Sequence, residues 1–513
     1  MKSLLMSSAI AALTAVTALT ALPAQAGKAD DTLVWVTNRE ANVPLVWWEN
    51  LIDVAAMQHH YFDTLVYRDP DSFEYLPLLA ESWDRIDDLT LEFKLRPGVT
   101  FHDGSAFDAD DVVSSYTHLI DPATAVMNAG LVKWMAGIEK VDDMTVRITT
   151  AKPFPAAFEF LASTRMGIMP SEVWDNPPLT AAGEPDYAAM PVIGTGPYKM
   201  VSFEPGGDMT LERNDDYFDG PKGTPAIKTL HMKTILDPET AVAELMVGSV
   251  DWVTGLTQDT VDAMRGMPGV TILDGPDMRV SYLTLDATGR SGDTPIADVR
   301  VRQAIAHAIN KPAIAENLVG PAANVLNAGC YPTQVGCSQE VEGYAYDPEK
   351  SKALLQEAGY GDGIKITIDA YRDRYLLEAI IGNLREVGID ADISMLQWAG
   401  LRSKMNEGKV EMAQTGWASS GLNDISGIAS VLLKMTPDDN CQNQEVKDLL
   451  DKADTTIDPE LRAATYKQAL ETVAEEVCWI PLYSHSKPYA YTEDLDFFAT
   501  ADGFPLFFLS SRN

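Results

Sequence analysis

Two arginines one residue apart, in the run Tyr371-Arg372-Asp373-Arg374, are the side chains of this chain best placed to grip an anion. A guanidinium fork holds a carboxylate through two parallel hydrogen bonds. Downstream, Gln397-Trp398 and the run Gly416-Trp417-Ala418-Ser419-Ser420-Gly421-Leu422-Asn423-Asp424 add two indoles and a carboxylate. An arginine, two indoles and a carboxylate around one cleft match a zwitterion with an apolar middle, such as an amino acid derivative or a short peptide. Catalytic signatures are missing: the chain has no G-x-S-x-G elbow, no H-E-x-x-H and no P-loop. With 75 carboxylates, chance alone supplies Asp/Glu pairs of the glycosidase kind. The 7 histidines are scattered, and the adjacent His59 and His60 point about 100° apart on a helix. The cysteines lack C-x-x-C spacing, so neither a resident metal nor another cofactor is expected.

These residues need elements to position them. Ile364–Ala370 reads as a strand, Tyr375–Val387 as a helix with Leu377, Ile380, Ile381 and Leu384 inward, and Ile389–Met395 as a second strand. That is a βαβ unit, whose strands are parallel and whose ligands bind beyond the strands' carboxyl ends. The Tyr371–Arg374 loop, the Gln397-Trp398 loop and the Gly416–Asp424 loop all fall at that edge. At the helix start, free N–H groups add to the attraction for an anion. Each residue also has a plainer role. An arginine at a helix start is commonly solvent-exposed or paired with a neighbour such as Asp373, so only one of the two is expected to face the cleft. The indoles would be core, and Asp424 would form a turn or cap the helix that follows.

The first residues, MKSLLMSSAIAALTAVTALTALPAQA, carry a basic start, an apolar core and the box Ala24-Gln25-Ala26, so residues 1–26 read as a cleavable export signal. No later stretch approaches the ~20 apolar residues of a membrane span, and no Cys follows the apolar core for a lipid anchor. A net charge of −36 makes nucleic acid and anionic membranes poor partners. The 4 cysteines allow three pairings in an oxidising compartment. Cys330–Cys337 with Cys441–Cys478 is favoured, because the first pair brackets only YPTQVG and closes locally. The 513 residues are too many for one core. Two strands flank the Gly-Gly turn at 206–207, helices open at Pro238 and Asp347-Pro348, and a helix over ADVRVRQAIAHAIN has Val299, Ile305 and Ile309 inward.

Residues 77–104, PLLAESWDRIDDLTLEFKLRPGVTFHDG, and the continuation SAFDADDVVSSYTHL resemble the signature of the periplasmic oligopeptide, dipeptide and nickel-binding proteins of ABC importers. The turn Gly194-Thr195-Gly196-Pro197-Tyr198 and the helix-strand segment after Pro238 are similar to further landmarks of that family. The resemblance implies an α/β, bilobal periplasmic-binding-protein fold of the type II kind with an extra subdomain and a two-crossover hinge. Lobe I would comprise 27–65, 191–281 and 490–513, the subdomain 66–190, and lobe II 282–489, with crossovers at Tyr282–Asp286 and Leu482–Tyr489. It implies that the Thr37–Glu40 loop, with Asn38 and Arg39, lines the cleft. In dipeptide-binding members an Asp after the Trp loop holds the α-ammonium and an Arg holds the carboxylate. Here the usual Asp-Pro-Asp run is replaced by Asn423-Asp424-Ile425-Ser426, and both Asn423 and Asp424 are candidates for the acidic position. Trp134 and Tyr282 are further candidates for which packing is the preferred role, and His102 reads as a structural turn residue. The expected function is a monomeric receptor in a Gram-negative periplasm that delivers a peptide-like ligand to importer permease subunits. The alternatives are an opine, oligosaccharide or metal-chelate receptor, a receptor serving a sensor, and a secreted hydrolase.

Overall fold

The computed structural model describes residues 31–513; the export signal expected over 1–26 lies outside them. The strands run in chain order as β1 (Thr32–Thr37), the hairpin β2 (Val66–Arg68) and β3 (Tyr75–Pro77), then β4 (Ala80–Asp87), β5 (Thr90–Leu95), β6 (Met135–Asp142) and β7 (Thr145–Thr150). The order β4-β5-β7-β6 forms an antiparallel sheet in the region expected as the extra subdomain. The chain then returns through β8 (Tyr198–Phe203), β9 (Met209–Arg213), β10 (Thr229–Thr234) and β11 (Trp252–Thr254) to the long β12 (Val270–Leu285). After β13 (Ile364–Ala370), β14 (Ile389–Met395) and β15 (Met412–Trp417), the equally long β16 (Trp479–Thr492) runs back.

These strands make one hydrogen-bonded order, β14-β13-β15-β12-β16-β11-β1-β10-β9-β8, which is two half-sheets sharing β12 and β16. β1 is an unbroken apolar run because it is parallel to both β10 and β11 and covered on both faces. In lobe I, Val270–Asp277 pair with Thr492–His485. In lobe II, Val280–Thr284 pair with Ser484–Trp479 and Val280–Leu285 also pair with β15. The lobes pack around separate cores, one centred on Trp35, Trp47 and Trp252, the other on Leu283, Ile368 and Ile380. The second expected crossover brackets Ser484-His485. The first falls earlier than Tyr282–Asp286, since Tyr282–Leu285 already belong to lobe II's ladder.

Between Asp277 and Val280 the register of β12 against β16 slips. Such a bulge bends the strand and re-aims its side chains. Met278 turns into a core with its N–H donating to Ala501 O at 2.7 Å, and the Arg279 N–H donates to Asp277 Oδ1 at 2.8 Å. The break in the ladder therefore leaves neither N–H unpaired.

The expected βαβ unit is present: β13 and β14 are parallel, and the helix Arg374–Glu386 buries Leu376, Leu377, Ile380, Ile381 and Leu384 against them. Each such burial is worth about 1.5–3 kcal/mol. In the helix Val299–Ala308, Val299 is exposed rather than inward because it opens the first turn, and Val301, Ala304, Ile305 and Ala308 form the buried face. Two sequence landmarks meet as packing partners. His102 Nε2 hydrogen-bonds Gly196 O at 3.0 Å, and Gly194 N–H donates to His102 Nδ1 at 3.3 Å. A Cβ on Gly194 would stand 1.9 Å from Tyr61 O, so this turn requires glycine for close approach.

Both favoured disulfides form, Cys330–Cys337 and Cys441–Cys478. Among the described residues, no helix is long and apolar enough to cross a membrane. The two disulfides close loops of 7 and 37 residues, for which chain entropy gives about 2 and about 4 kcal/mol. Replacing Cys441 and Cys478 by serine is therefore expected to lower the denaturation midpoint of lobe II more than replacing Cys330 and Cys337. Equal losses in urea titrations would contradict that ranking.

Candidate functional site

A cavity of about 370 Å³ opens where β12 and β16 pass between the lobes, within the range of small-molecule pockets. Lobe I contributes Leu51, Ile52, Arg165 and Phe504, and lobe II contributes Tyr371, Trp398 and Trp417. Trp398 opens the helix Trp398–Asn406 just past β14, is exposed, and lies 4.9 Å from the Tyr371 ring. The Arg402 guanidinium sits over its indole at 5.9 Å. Trp417 ends β15 and is fixed by donation from Nε1 to Gly427 O at 2.7 Å. Second contacts thus orient both indoles while a face of each stays at the cavity.

The charged wall comes from the crossing strands. Asp277 and Arg279 stand at the β12 bulge and Lys487 on β16, with Arg165 facing them from lobe I. Among the described residues, the Arg279 guanidinium has no carboxylate within 4.0 Å and no hydrogen-bond partner. Asp277 has no cation within that distance. Lys487 Nζ donates to Gly503 O at 3.0 Å, and burial pulls its ammonium below the usual lysine range. Arg165 donates to Val46 O at 2.8 Å and Asn50 Oδ1 at 3.0 Å, both uncharged, and burial pulls it down to about 10. At the crossing itself, Ser281 Oγ hydrogen-bonds His485 Nε2 at 2.8 Å, and burial pushes that imidazole down to about 4, so it is neutral near pH 7.

Of the residues singled out in the sequence, Tyr371, Trp398 and Trp417 come together on this wall. Arg372 lies behind it, its Nε donating to Asp373 Oδ2 at 3.0 Å and its Nη1 to the Tyr371 hydroxyl at 3.2 Å. Arg374 points to solvent and pairs with Glu378 one helical turn on, at 2.9 Å. Asn38 packs at Gly255, and Arg39 is exposed 3.5 Å from Asp53. Asn423 Oδ1 accepts from Thr333 Oγ1 at 2.9 Å. Asp424, the candidate ammonium partner, is instead buried, and its two oxygens accept from Arg462 at 2.8 and 2.9 Å. It also caps the turn Ile425–Gly427, the plainer role expected for it. Trp134 stacks on Phe154 and Tyr282 packs edge-on against Trp479, so both are packing residues. Sequence reasoning missed Asp277, Arg279, Lys487 and Arg165. The one visible signal was Gly275-Pro276 inside a strand-like run, a pattern that marks a bulge.

Beside the cavity, a buried charge cluster joins the lobes. Arg68 pairs with Glu159 and, at 2.7 Å, with Asp502, all in the lobe I half. The same guanidinium donates to Gly421 O at 3.2 Å across the cleft, and the Asn423 N–H donates to Glu159 Oε1 at 2.7 Å. Tyr75 adds a hydroxyl to Glu159 at 2.9 Å. The lobe II loop reaching this cluster is held in a rare backbone state: Ser419, Ser420 and Gly421 have φ of 50°, 54° and 78°. A Cβ on Gly421 would stand 2.8 Å from the Phe504 ring, so glycine here permits the lobes to touch.

Residues 74–436 match the family described as bacterial extracellular solute-binding proteins, family 5, middle. Heme-binding protein A of Haemophilus influenzae is 28% identical over 497 residues, covering 90% of this chain and 88% of that protein. Glutathione-binding protein GsiB of Escherichia coli K12 is 27% identical over 435 residues, covering 82% of each chain. The structure of HbpA2 from Haemophilus parasuis superposes with a TM-score of 0.81 at 25% identity, covering 94% of this chain and all of that one.

Two outcomes are expected from this geometry. Asp424→Asn should cost about 3–5 kcal/mol of stability, the effect of breaking a buried pair, read as a lower urea midpoint; an unchanged midpoint would show the pair to be dispensable. Glu159→Gln keeps an acceptor oxygen for the Asn423 N–H but removes its charge, weakening the bond across the cleft by about 1–1.5 kcal/mol and shifting the closed-to-open ratio roughly fivefold to tenfold. X-ray scattering of the free protein should then show a larger radius of gyration with unaltered circular dichroism. An unchanged radius would mean that the bridge does not hold the lobes together.

Proposed function

Because the chain belongs to the bacterial extracellular solute-binding proteins, family 5, we propose that it is the periplasmic receptor of an ABC importer for a short peptide or amino acid derivative. The carrying observation is the wall of the interlobe cavity, where an unpaired guanidinium, Arg279, and an unpaired carboxylate, Asp277, stand beside two indoles. A zwitterion satisfies both charges: its carboxylate meets Arg279, its ammonium meets Asp277, and its apolar body lies on Trp398, Trp417 and Phe504. Tyr371, positioned from behind by Arg372, completes the apolar side. In this reading Asp277 at the bulge takes the ammonium role that the family pattern gives to an Asp after the Trp loop.

The ligand then acts by bridging. Contacts made to both lobes at once exist only when the lobes are together, so binding energy biases the open–closed equilibrium. The closed pair of lobe surfaces is what the permease subunits receive. Relatives named for heme and for glutathione support a small organic ligand.

Thermal-shift screening against dipeptides, tripeptides, amino acid derivatives, opines, oligosaccharides and metal chelates tests the reading. A ligand at 100 times its Kd stabilises the native state by about 2.7 kcal/mol. Zwitterionic peptides should raise the melting temperature, and Arg279→Ala should weaken them by roughly thirtyfold or more, the loss expected when a buried charge pair is truncated. Shifts by oligosaccharides alone would reject the peptide assignment.

A further inference from the structure

The chain has 39 basic residues against 75 acidic ones, so a wall drawn from it at random would be acidic. The interlobe cavity departs from that composition. Its lining holds Arg165, Arg279 and Lys487, none with a carboxylate within 4.0 Å among the described residues. Of the lining acids, Asp502 is already matched by Arg68, which leaves Asp277 as the free carboxylate. A zwitterion uses Arg279 and Asp277 and leaves Arg165 and Lys487 without a counter-charge. Half-buried cations in that state cost free energy that an anion arriving with the ligand would offset. The two surplus cations also face the cavity from different elements. Arg165 is carried by the turn after the short helix Ala157–Leu161 and is steadied by Val46 O and Asn50, whereas Lys487 stands on β16 and is steadied by Gly503 O.

We propose that the ligand carries a second acidic group, a carboxylate on its side chain or body that faces Arg165 and Lys487, so that the physiological solute is an acidic peptide or acidic amino acid conjugate of net negative charge. This rests on the receptor reading above and narrows it to one charge class. A guanidinium held only by neutral acceptors keeps donors free for a carboxylate, and a charge-assisted hydrogen bond formed away from bulk water contributes about twice what a neutral one does. An isostere that replaces the carboxylate by an amide keeps the shape and loses the charge.

Calorimetric titration of matched pairs reads this directly: Phe-Glu against Phe-Gln, Glu-Phe against Gln-Phe, and a non-peptide aromatic dicarboxylate against its monoamide. The acid member should bind at least about tenfold more tightly than its amide, and the preference should shrink as salt is raised. Arg165→Gln should collapse the ratio of acid to amide affinity towards unity; Lys487→Gln, read the same way, serves if the first variant does not fold. Equal affinities within every pair would overturn the acidic ligand and leave the peptide receptor standing. Binding of no member of any pair would overturn both.

Discussion

Everything in this molecule hangs on two strands that belong to both lobes. β12 and β16 pair antiparallel through lobe I, shift register at Asp277/Val280 and again at Ser281/Tyr282, and continue pairing through lobe II. A backbone crossing between two bodies must keep its N–H and C=O groups satisfied on the way, and here the ladder itself does so, helped by Ala501 O and the Asp277 side chain at the bulge. The bulge thus has two consequences from one distortion. It bends the ladder where the lobes meet, and it turns Asp277 and Arg279 toward the cavity instead of into a sheet face.

The contacts that draw the lobes together are of a different kind. Arg68 is shared between two lobe I carboxylates and a lobe II carbonyl, and Glu159 accepts a lobe II backbone N–H. Burial pushes the Glu159 carboxyl upward while the Arg68 guanidinium beside it opposes that shift. Because the lobe II partners are main-chain groups of one loop, the bridge depends on that loop's conformation. The left-handed run Ser419-Ser420-Gly421 and the Gly421–Phe504 contact supply it. A cleft closed partly by such a bridge needs less from its ligand to stay closed, so affinity in this fold is set by groups beside the cavity as well as by those lining it.

Buried ion pairs elsewhere fix the scaffold. Lys222 Nζ lies 2.7 Å from Asp63 and also donates to His59 O and Phe62 O, tying the end of the helix Ile52–Tyr61 to a distant loop. Asp424 and Arg462 do the same in lobe II. Removing one partner of such a pair strands a charge away from water, so these pairs specify geometry more than they add stability.

The sequence by itself determined what local pattern determines. The βαβ unit follows from apolar periods of two and 3.6, the loops at its edge from parallel pairing, and the capping role of Asp424 from an Asp preceding a helical turn. The family landmarks, the favoured cysteine pairs and three of the four aromatic residues that line the cavity, Tyr371, Trp398 and Trp417 but not Phe504, were legible in the sequence. The partners of each charge were not. Arg372 and Arg374 have the right type at the right edge, yet their carboxylate neighbours Asp373 and Glu378 claim them within a turn of chain, whereas Asp424 is claimed by Arg462 from another helix. Arg279 was invisible because it is one of two β12 residues, with Met278, left without a partner between the pairs Asp277–His485 and Val280–Ser484, and such a bulge, which re-aims side chains, is defined only by the strand opposite. Which charges are spent and which stay free is decided by segments hundreds of residues apart meeting in space, so only the tertiary structure could assign the cavity its charge.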